Sequence, residues 1–302
     1  MFKKIFKKIF SILNQTLDDR YNRKRIDRSF KNSHSIDLNN NLDDWHAVAK
    51  EIKKAALLNN GKFFFLDKFV IRHLASEDSN LGWRLLKLIS SKTNGGEIIR
   101  QFHTPPWGAP YLLRRYPFLS PTALTHIVNL LSIKEAFPEE EINSFFDFGG
   151  GYGGFASCVL TTIKEAYVSI FDIEEMLIVQ NQYISSCYPK YINQVSFYDN
   201  LEKISNSEFD IFNASFSFSE VPIEDRKTIE KFIYERCKRI FIIFQEEWKD
   251  NNNIDYMKSL LHSLIEKGWH AEIRPYEEYG WKSINVLVGK KITNRPHRSL
   301  YV

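Results

Sequence analysis

The residues with the clearest chemical pattern lie in a glycine-rich segment near the middle of the 302-residue chain. The segment SFFDFGGGYGGFASCVL runs from Ser144 to Leu160 and holds five of the 13 glycines of the chain. An apolar run precedes the glycines and another follows them, which is typical of a turn between a strand and a helix. Because glycine lets the backbone approach a ligand closely, the segment predicts a ligand-binding turn.

Two phosphate-binding patterns were compared with this turn. A P-loop closes with Lys-Ser or Lys-Thr, whereas here phenylalanine and alanine follow the last glycine, so the P-loop pattern fails. The dinucleotide pattern G-x-G-x-x-G fits Gly149, Gly151 and Gly154, with an acid at Asp172 eighteen residues farther on. By itself this match does not decide the ligand.

A third pattern, acid-x-G-x-G-x-G, is typical of S-adenosylmethionine sites and fits Asp147, Gly149, Gly151 and Gly153. Asp147 separates this pattern from the dinucleotide pattern. A carboxylate two residues before the first glycine would lie close to the negative charge of a pyrophosphate. S-adenosylmethionine carries an ammonium and a sulfonium, so an acid is favourable there. The turn therefore favours S-adenosylmethionine.

Acids also stand at the ends of the next two predicted strands. Asp172 ends AYVSIFD, where it can accept hydrogen bonds from both ribose hydroxyls, and Asp199 ends QVSFYD, where it can accept one from the adenine amino group. Ligands of open α/β sheets lie outside the carboxyl ends of the strands. Any one of these acids alone would be an ordinary strand-end or capping residue. Together with Asp147 and the glycine turn they predict a methyltransferase-like cofactor site.

The elements that must position these residues alternate regularly. From about residue 142, five strand–helix units follow one another, which predicts a parallel sheet with helices on both faces. The last two strands are joined by the short link EEYGW and must therefore be antiparallel. The predicted fold class is an α/β, Rossmann-like sheet with a C-terminal antiparallel hairpin. A helical N-terminal region and a loop with four prolines precede it, and Ser120-Pro121 can cap the helix after that loop.

Three segments carry a resemblance to a known family: FFDFGGGYGGFA, FDIEEMLIVQNQYIS and FNASFSFSEVP. They resemble the cofactor-site segments of class I S-adenosylmethionine-dependent methyltransferases, and are similar to bacterial sugar O-methyltransferases associated with surface polysaccharide biosynthesis. The resemblance covers about residues 100–291. It implies methyl transfer to a sugar hydroxyl, with the cofactor surrounded by Asp147, Gly149, Gly151, Gly153, Asp172 and Asp199.

The fourth predicted strand is FDIFNASFSF, and the candidate catalytic residues lie at its end and in the loop after it, where the sequence is NASFSFSEVP. A sugar hydroxyl is a poor nucleophile, so a base that takes its proton assists attack. Glu220 is the leading candidate base, with a capping or salt-bridging role as the alternative. Asn213 could contact the methionine end of the cofactor or the acceptor. Many small-molecule O-methyltransferases that this chain resembles have a histidine near this point, but none occurs between His126 and His262.

His103, on the proline-rich loop, is the second candidate catalytic residue, whereas His126 lies in an apolar helical stretch and is expected to be a core or interface histidine. Arg114 and Arg115 could bind a phosphate or carboxylate of an activated sugar, or could form a solvated basic pair. The chain has no His/Asp/Glu cluster with magnesium or zinc spacing, so no metal site is predicted. The amino-methylation motif Asn/Asp-Pro-Pro-aromatic is also absent from the segment FNASFS.

Charge is distributed unevenly. Residues 1–31 hold ten Lys or Arg against three Asp or Glu, a net charge of +7, and since the whole chain carries +4 the remaining residues carry −3. The slightly acidic body weighs against nucleic acid as a partner. Residues 1–13 pattern as a basic amphipathic helix, which predicts either peripheral contact with an anionic membrane surface or packing on protein. Three widely spaced cysteines favour a reducing, cytoplasmic location, with the inner face of the membrane as the alternative.

These observations predict four regions: a basic arm and linker (1–39), a helical lid or acceptor region (40–135), an S-adenosylmethionine-binding methyltransferase domain (136–291) and a tail (292–302). The predicted function is S-adenosylmethionine-dependent O-methylation of a sugar in a cell-surface glycan or its nucleotide-linked precursor. The alternatives are a methyltransferase for another small molecule or RNA, an NAD-dependent oxidoreductase, and a binding module that has lost its chemistry.

Overall fold

The computed structural model describes residues 45–138, 141–204, 207–249 and 251–292. The predicted arm and linker and almost all of the predicted tail lie outside these residues. The chain forms two compact units, one within residues 1–143 and 149–200 and the other within residues 144–148 and 201–302. The four regions named from the sequence stay predictions.

Within the described residues, the first unit begins with five α-helices: α1 (Trp45–Leu57), α2 (Lys68–His73), α3 (Ser79–Ser91), α4 (Gly95–Gln101) and α5 (Pro121–Ala136). Side-chain caps fix several of their starts. Asp67 and Asp78 accept hydrogen bonds from backbone amides of α2 and α3, and the hydroxyl of Ser120 accepts one from the amide of Ala123 at 3.0 Å, as its place before Pro121 predicts. Residues 102–120 contain no helix or long strand, as their prolines predict.

The remainder of the first unit contains two parallel strands and two helices: α6 (Gly154–Thr162), β2 (Tyr167–Phe171), α7 (Glu174–Cys187) and β3 (Val195–Tyr198). β2 pairs with β3 in the register Val168 to Val195. Each of these strands is followed at once by one of the predicted acids, Asp172 or Asp199.

The second unit contains the remaining strands: β1 (Ser144–Phe148), β4 (Ile211–Ser215), β5 (Arg239–Gln245), the two-residue pair β6 (Glu247–Trp248) and β7 (Asn251–Asn252), β8 (Trp269–Pro275) and β9 (Ile284–Lys291). Its helices are α8 (Ser217–Glu220), α9 (Ile223–Arg236) and α10 (Asn253–Glu266). β1, β4 and β5 pair in parallel, and β9 runs antiparallel to both β5 and β8. Residues 240–244 of β5 are fully buried, which marks the centre of this unit's core.

Hydrogen bonding places the seven longer strands in the order β3-β2-β1-β4-β5-β9-β8. Among the first five, β3 and β2, β1 and β4, and β4 and β5 pair in parallel. β9 pairs antiparallel with both β5 and β8. The predicted α/β Rossmann-like sheet with a C-terminal antiparallel hairpin is therefore confirmed, as is the helical N-terminal region. Within the described residues, no helix combines the length and apolar character needed to cross a membrane.

Candidate functional site

The glycine turn follows β1 and leads into α6. Gly149, Gly151 and Gly153 have φ values of 69°, 58° and 92°, in the left-handed region that side chains with a Cβ disfavour. The amide of Gly153 donates to the carbonyl of Gly150 at 2.9 Å, which closes the turn. Gly153 then forms the N-cap of α6. The three glycines predicted to contact the cofactor thus share the backbone conformation that requires glycine.

Gly154, the first residue of α6, is needed because two side chains approach it closely. A Cβ built on Gly154 would lie 2.3 Å from Nε2 of His126 and 2.6 Å from the hydroxyl of Tyr152. These two groups also lie 3.1 Å from each other, within hydrogen-bonding distance. Burial lowers the pKa of His126 to about 4, so this imidazole is neutral at pH 7. His126 is therefore a packed histidine of the turn, as the sequence suggested.

Tyr152 connects the turn to the helical N-terminal part of the same unit. Its ring lies 5.0 Å from that of Phe65 and 4.9 Å from that of Tyr183, both with edge-to-face geometry. Trp107, on the proline-rich loop, lies 5.4 Å from Tyr183. Within the first unit, the proline-rich loop and the turn are thus joined through one aromatic cluster.

Asp172, which follows β2, is tied to the glycine turn by Gln180 of α7. Nε2 of Gln180 donates to Oδ2 of Asp172 at 2.7 Å and to the carbonyl of Gly151 at 3.0 Å. The other oxygen of Asp172 accepts from the amide of Ile173 at 2.9 Å. Gln180 was not among the residues predicted from the sequence, although its place on the buried face of α7, one turn after Met176 and one turn before Ile184, was an available signal.

Asp147 and Asn213 form a buried pair in the second unit. Asp147 is the fourth residue of β1 and Asn213 lies opposite it in β4, and both side chains are almost fully buried. Nδ2 of Asn213 donates to Oδ1 of Asp147 at 2.7 Å. Desolvation raises the pKa of Asp147 to about 7, and the hydrogen bond from Asn213 opposes that rise.

Each member of this pair keeps one buried oxygen without a donor. Oδ2 of Asp147 and Oδ1 of Asn213 have no hydrogen-bond partner among the described residues. Such orphaned acceptors are uncommon in folded proteins because each loses its bonds to water without replacement. Two neighbouring acceptors, one on a group that can carry negative charge, match a ligand that brings several N–H donors.

Glu220 is the last residue of α8, directly after β4. The sequence predicted strand through Phe218, but the strand ends at Ser215, and Phe216 turns the chain with a φ of 71°. Few non-glycine residues adopt this region, so the turn is locally strained. The Ser217 hydroxyl donates to the carbonyl of Phe148 and helps to hold it. Glu220 itself is half-buried.

The other predicted residues stand in more open surroundings. Asp199 is exposed after β3, on the same unit as the glycine turn. His103 is an exposed residue whose ring lies 4.8 Å from that of Phe118, while its carbonyl accepts from the Tyr188 hydroxyl at 3.0 Å. His103 belongs to the first unit and Glu220 to the second.

The sequence matches no model of a known protein family and no curated protein. Solved structures of similar fold include the magnesium protoporphyrin IX methyltransferase of Synechocystis PCC 6803 with bound SAM (16% identity, 56% of this chain and 79% of that chain covered, TM-score 0.42). Others are the glycopeptide N-methyltransferase MtfA complexed with SAM (10%, 54% and 87%, TM-score 0.42) and the mitomycin 7-O-methyltransferase MmcR (12%, 82% and 68%, TM-score 0.40). The fold assignment depends on the strand order of this chain itself.

Proposed function

We propose that the protein is an S-adenosylmethionine-dependent O-methyltransferase that methylates a sugar hydroxyl of a cell-surface glycan or its nucleotide-linked precursor. The observation that carries the cofactor assignment is the buried Asp147–Asn213 pair with its two acceptor oxygens that lack donors.

The ammonium of S-adenosylmethionine matches this pair in the number of its donors and in its charge. It offers three N–H donors and a positive charge, so it can satisfy both orphaned oxygens and stabilise the carboxylate of Asp147. A dinucleotide would bring a pyrophosphate toward the same strand end, and its charge would oppose ionisation of Asp147. The pair therefore favours S-adenosylmethionine over NAD.

The remaining cofactor contacts are proposed from the sequence pattern and the local geometry. The bare backbone of Gly149, Gly151 and Gly153 would accommodate the thioether chain and the ribose. A carboxylate has about four lone-pair sites, so Asp172 can accept from ribose hydroxyls while keeping its bonds from Gln180 and Ile173. Asp199, which is exposed, would accept from the adenine amino group.

When bound, S-adenosylmethionine would supply an electrophilic methyl group, and the protein must hold the acceptor oxygen in line with it. We assign to Glu220 the acceptance of the hydroxyl proton, so that proton loss accompanies attack. His103 is the second candidate for that role. Glu220 is preferred because it ends the short helix α8 that begins just after β4, and β4 carries Asn213 of the buried pair.

Trp281 supports a sugar as the acceptor. β9 begins three residues later, at Ile284, which pairs with Gln245 at the end of β5, so Trp281 stands near the carboxyl edge of β5. Its ring lies 5.7 Å from Tyr279, and Tyr279 lies 6.1 Å from Phe216, yet 53% of Trp281 is exposed. An exposed aromatic face held in a fixed position suits the apolar C–H face of a sugar ring.

Replacement of Trp281 provides a test of the acceptor class. Trp281→Ala is expected to raise KM for the sugar acceptor about fivefold or more, while Kd for S-adenosylhomocysteine stays within about twofold, because only acceptor binding loses a contact. The KM for the acceptor is measured by transfer of tritium from methyl-labelled S-adenosylmethionine to nucleotide-linked sugars and to isolated surface glycan. The matched control is Tyr167→Ala, an equally exposed aromatic residue at the start of β2. Equal KM values for the two variants would remove Trp281 from the acceptor site.

The cofactor is tested directly by calorimetric titration with S-adenosylhomocysteine and, separately, with NAD. We expect binding of S-adenosylhomocysteine and none of NAD. Binding of NAD alone would overturn the proposal in favour of an oxidoreductase. Labelled methyl transfer to RNA with steep salt dependence, instead of transfer to sugars, would establish the RNA alternative.

A further inference from the structure

Arg226, in the first turn of α9, is the largest fully buried side chain among the described residues. Its hydrogen bonds within those residues go to two backbone carbonyls and to the side-chain oxygen of Asn253, at 2.9 Å, and none goes to a carboxylate. The ring of Tyr256 lies 4.6 Å from the guanidinium carbon, in a cation–π contact. The carboxylate of Glu230 attracts the guanidinium without a hydrogen bond to it, and Nη1 has no hydrogen-bond partner among the described residues, so burial of this charge is costly.

The two carbonyls that Arg226 binds lie on either side of Glu220. Nε donates to the carbonyl of Val221 and Nη2 donates to that of Ser219, both at 2.8 Å. The planar guanidinium presents its donors in a fixed fork, so the two bonds together fix the peptide groups Ser219–Glu220 and Val221–Pro222, on either side of the Glu220–Val221 peptide, relative to α9. The other end of α8 follows the strained turn at Phe216. A strained turn persists only where surrounding contacts hold it, so this turn alone would not keep α8 in one conformation.

α8 has only four residues and little helical stability of its own. The segment therefore needs tertiary contacts to keep one conformation. An apolar side chain at position 226 would fill the interior without the cost of desolvating a charge, but could not donate to either carbonyl. The distinctive contribution of arginine here is the orientation of residues 219–221.

We propose that Arg226 is a positioning residue, which holds Glu220 in place through the carbonyls of Ser219 and Val221 and so sets the rate of proton removal from the acceptor. This inference rests on the proposed function, since Glu220 is the candidate base of that reaction. Arg226 itself touches no substrate.

The first test measures the local structure and needs no substrate. Arg226→Lys keeps the charge but cannot reproduce the fork. We expect amide hydrogen exchange of residues 217–221 to accelerate at least tenfold in this variant, with exchange in β4 and β5 little changed. The matched control is Arg239→Lys. Arg239, the first residue of β5, is also buried, and its Nη1 donates to the carbonyl of Asp210 at 3.1 Å. Equal exchange of residues 217–221 in the two variants would overturn the proposal.

The second test is a double-mutant cycle on methyl transfer. Glu220→Gln is expected to lower kcat by roughly a hundredfold or more, and Arg226→Lys by at least tenfold with KM for S-adenosylmethionine nearly unchanged. If Arg226 acts through Glu220, the addition of Arg226→Lys to Glu220→Gln lowers kcat no further. If Arg226→Lys lowers kcat by the same factor in the Glu220→Gln background as in the wild-type background, Arg226 acts by another route and the proposal is overturned.

If Arg226→Lys fails to fold, the milder variant Asn253→Ala can be used in its place. It removes the side-chain acceptor of the guanidinium but keeps the arginine. The same changes, smaller in size, are expected there, and their absence counts against the proposal. The outcomes also separate the two hypotheses. A wild type that binds no S-adenosylhomocysteine ends the proposed function and, with it, the positioning role of Arg226 in methyl transfer, whereas normal binding with additive kcat effects ends the role of Arg226 alone.

Discussion

At the scale of single residues, Asp147 illustrates how burial prepares a side chain for a ligand. Its carboxyl is almost fully buried in β1 and receives one hydrogen bond, from Asn213, so desolvation dominates and raises its pKa to about 7. Below about pH 7 the unliganded protein therefore favours the protonated form. A cation that replaces the lost hydration would return Asp147 to its ionised form, which couples ligand binding to the release of a proton.

This coupling predicts opposite pH dependences for binding and stability. Affinity for S-adenosylhomocysteine should rise as pH increases through about 7, because the carboxylate binds the ammonium. The contribution of Asp147 to the free energy of unfolding of the unliganded protein should be greatest below pH 3.8, its unperturbed pKa, and fall as pH rises through about 7. Calorimetry measures the affinity and chemical denaturation measures the stability, both between pH 5.5 and 8.5, which is about 1.5 units on either side of a pKa of about 7.

Asp147→Asn should weaken S-adenosylhomocysteine binding about tenfold or more at pH 8 and remove this rise with pH, since a charged hydrogen bond is lost. Asp78→Asn serves as the control, because Asp78 caps α3 and asparagine caps equally well. An unchanged pH profile in Asp147→Asn would show that Asp147 does not bind the ammonium.

At the scale of secondary-structure elements, the turn between β1 and α6 combines two different requirements for glycine. Gly149, Gly151 and Gly153 need positive φ angles, whereas Gly154 needs space because His126 of α5 and Tyr152 fill the position that its Cβ would take. The start of α6 is thus fixed against α5 by close packing. A helix held in this way keeps its first-turn amides and the turn before it in one arrangement.

Gly154→Ala is expected to lower the free energy of unfolding by about 1–3 kcal/mol, the usual cost of overpacking, and to weaken S-adenosylhomocysteine binding. Gly96→Ala, in the first turn of α4, is the matched control, since its Cβ would lie 3.8 Å from its nearest neighbour, an end of Arg100. That substitution should be neutral or stabilising because alanine favours helix. Denaturation curves with both variants measure the difference, and equal stabilities would contradict the packing argument.

At the scale of the whole molecule, charge is divided between a basic N-terminal segment and a slightly acidic remainder. Residues 1–31 carry a net charge of +7, and Phe2, Ile5, Phe6, Ile9, Phe10 and Leu13 recur at helical spacing between lysines. These residues lie outside those that the structure describes. We propose that they bring the enzyme to an anionic membrane surface, where precursors of surface glycans would be met.

Deletion of residues 1–14 is expected to abolish sedimentation with vesicles that contain anionic phospholipid, because both the apolar stripe and four lysines are lost. Binding of the full chain should weaken at high salt and should be absent with neutral vesicles. Undiminished sedimentation of the shortened protein would instead favour packing of this segment on protein.

The sequence by itself determined the features that depend on neighbouring residues. Period and apolar runs predicted the parallel strands, the link EEYGW predicted the antiparallel pair of β8 and β9, and the glycine pattern located the turn before α6. The acids Asp172 and Asp199 were placed correctly at the ends of β2 and β3 for the same reason. Local backbone preferences and side-chain alternation are written into consecutive residues, so one chain suffices to recognise them.

Only the tertiary structure decided which distant side chains meet. Asn213 binds Asp147 across 66 positions of the chain, and Gln180 reaches Gly151 across 29. No local pattern marks such partners, because strand register and helix packing determine them. The desolvation that makes His126 neutral and raises the pKa of Asp147 likewise comes from the residues packed around them, as does the burial of Arg226 behind the carbonyls that flank Glu220.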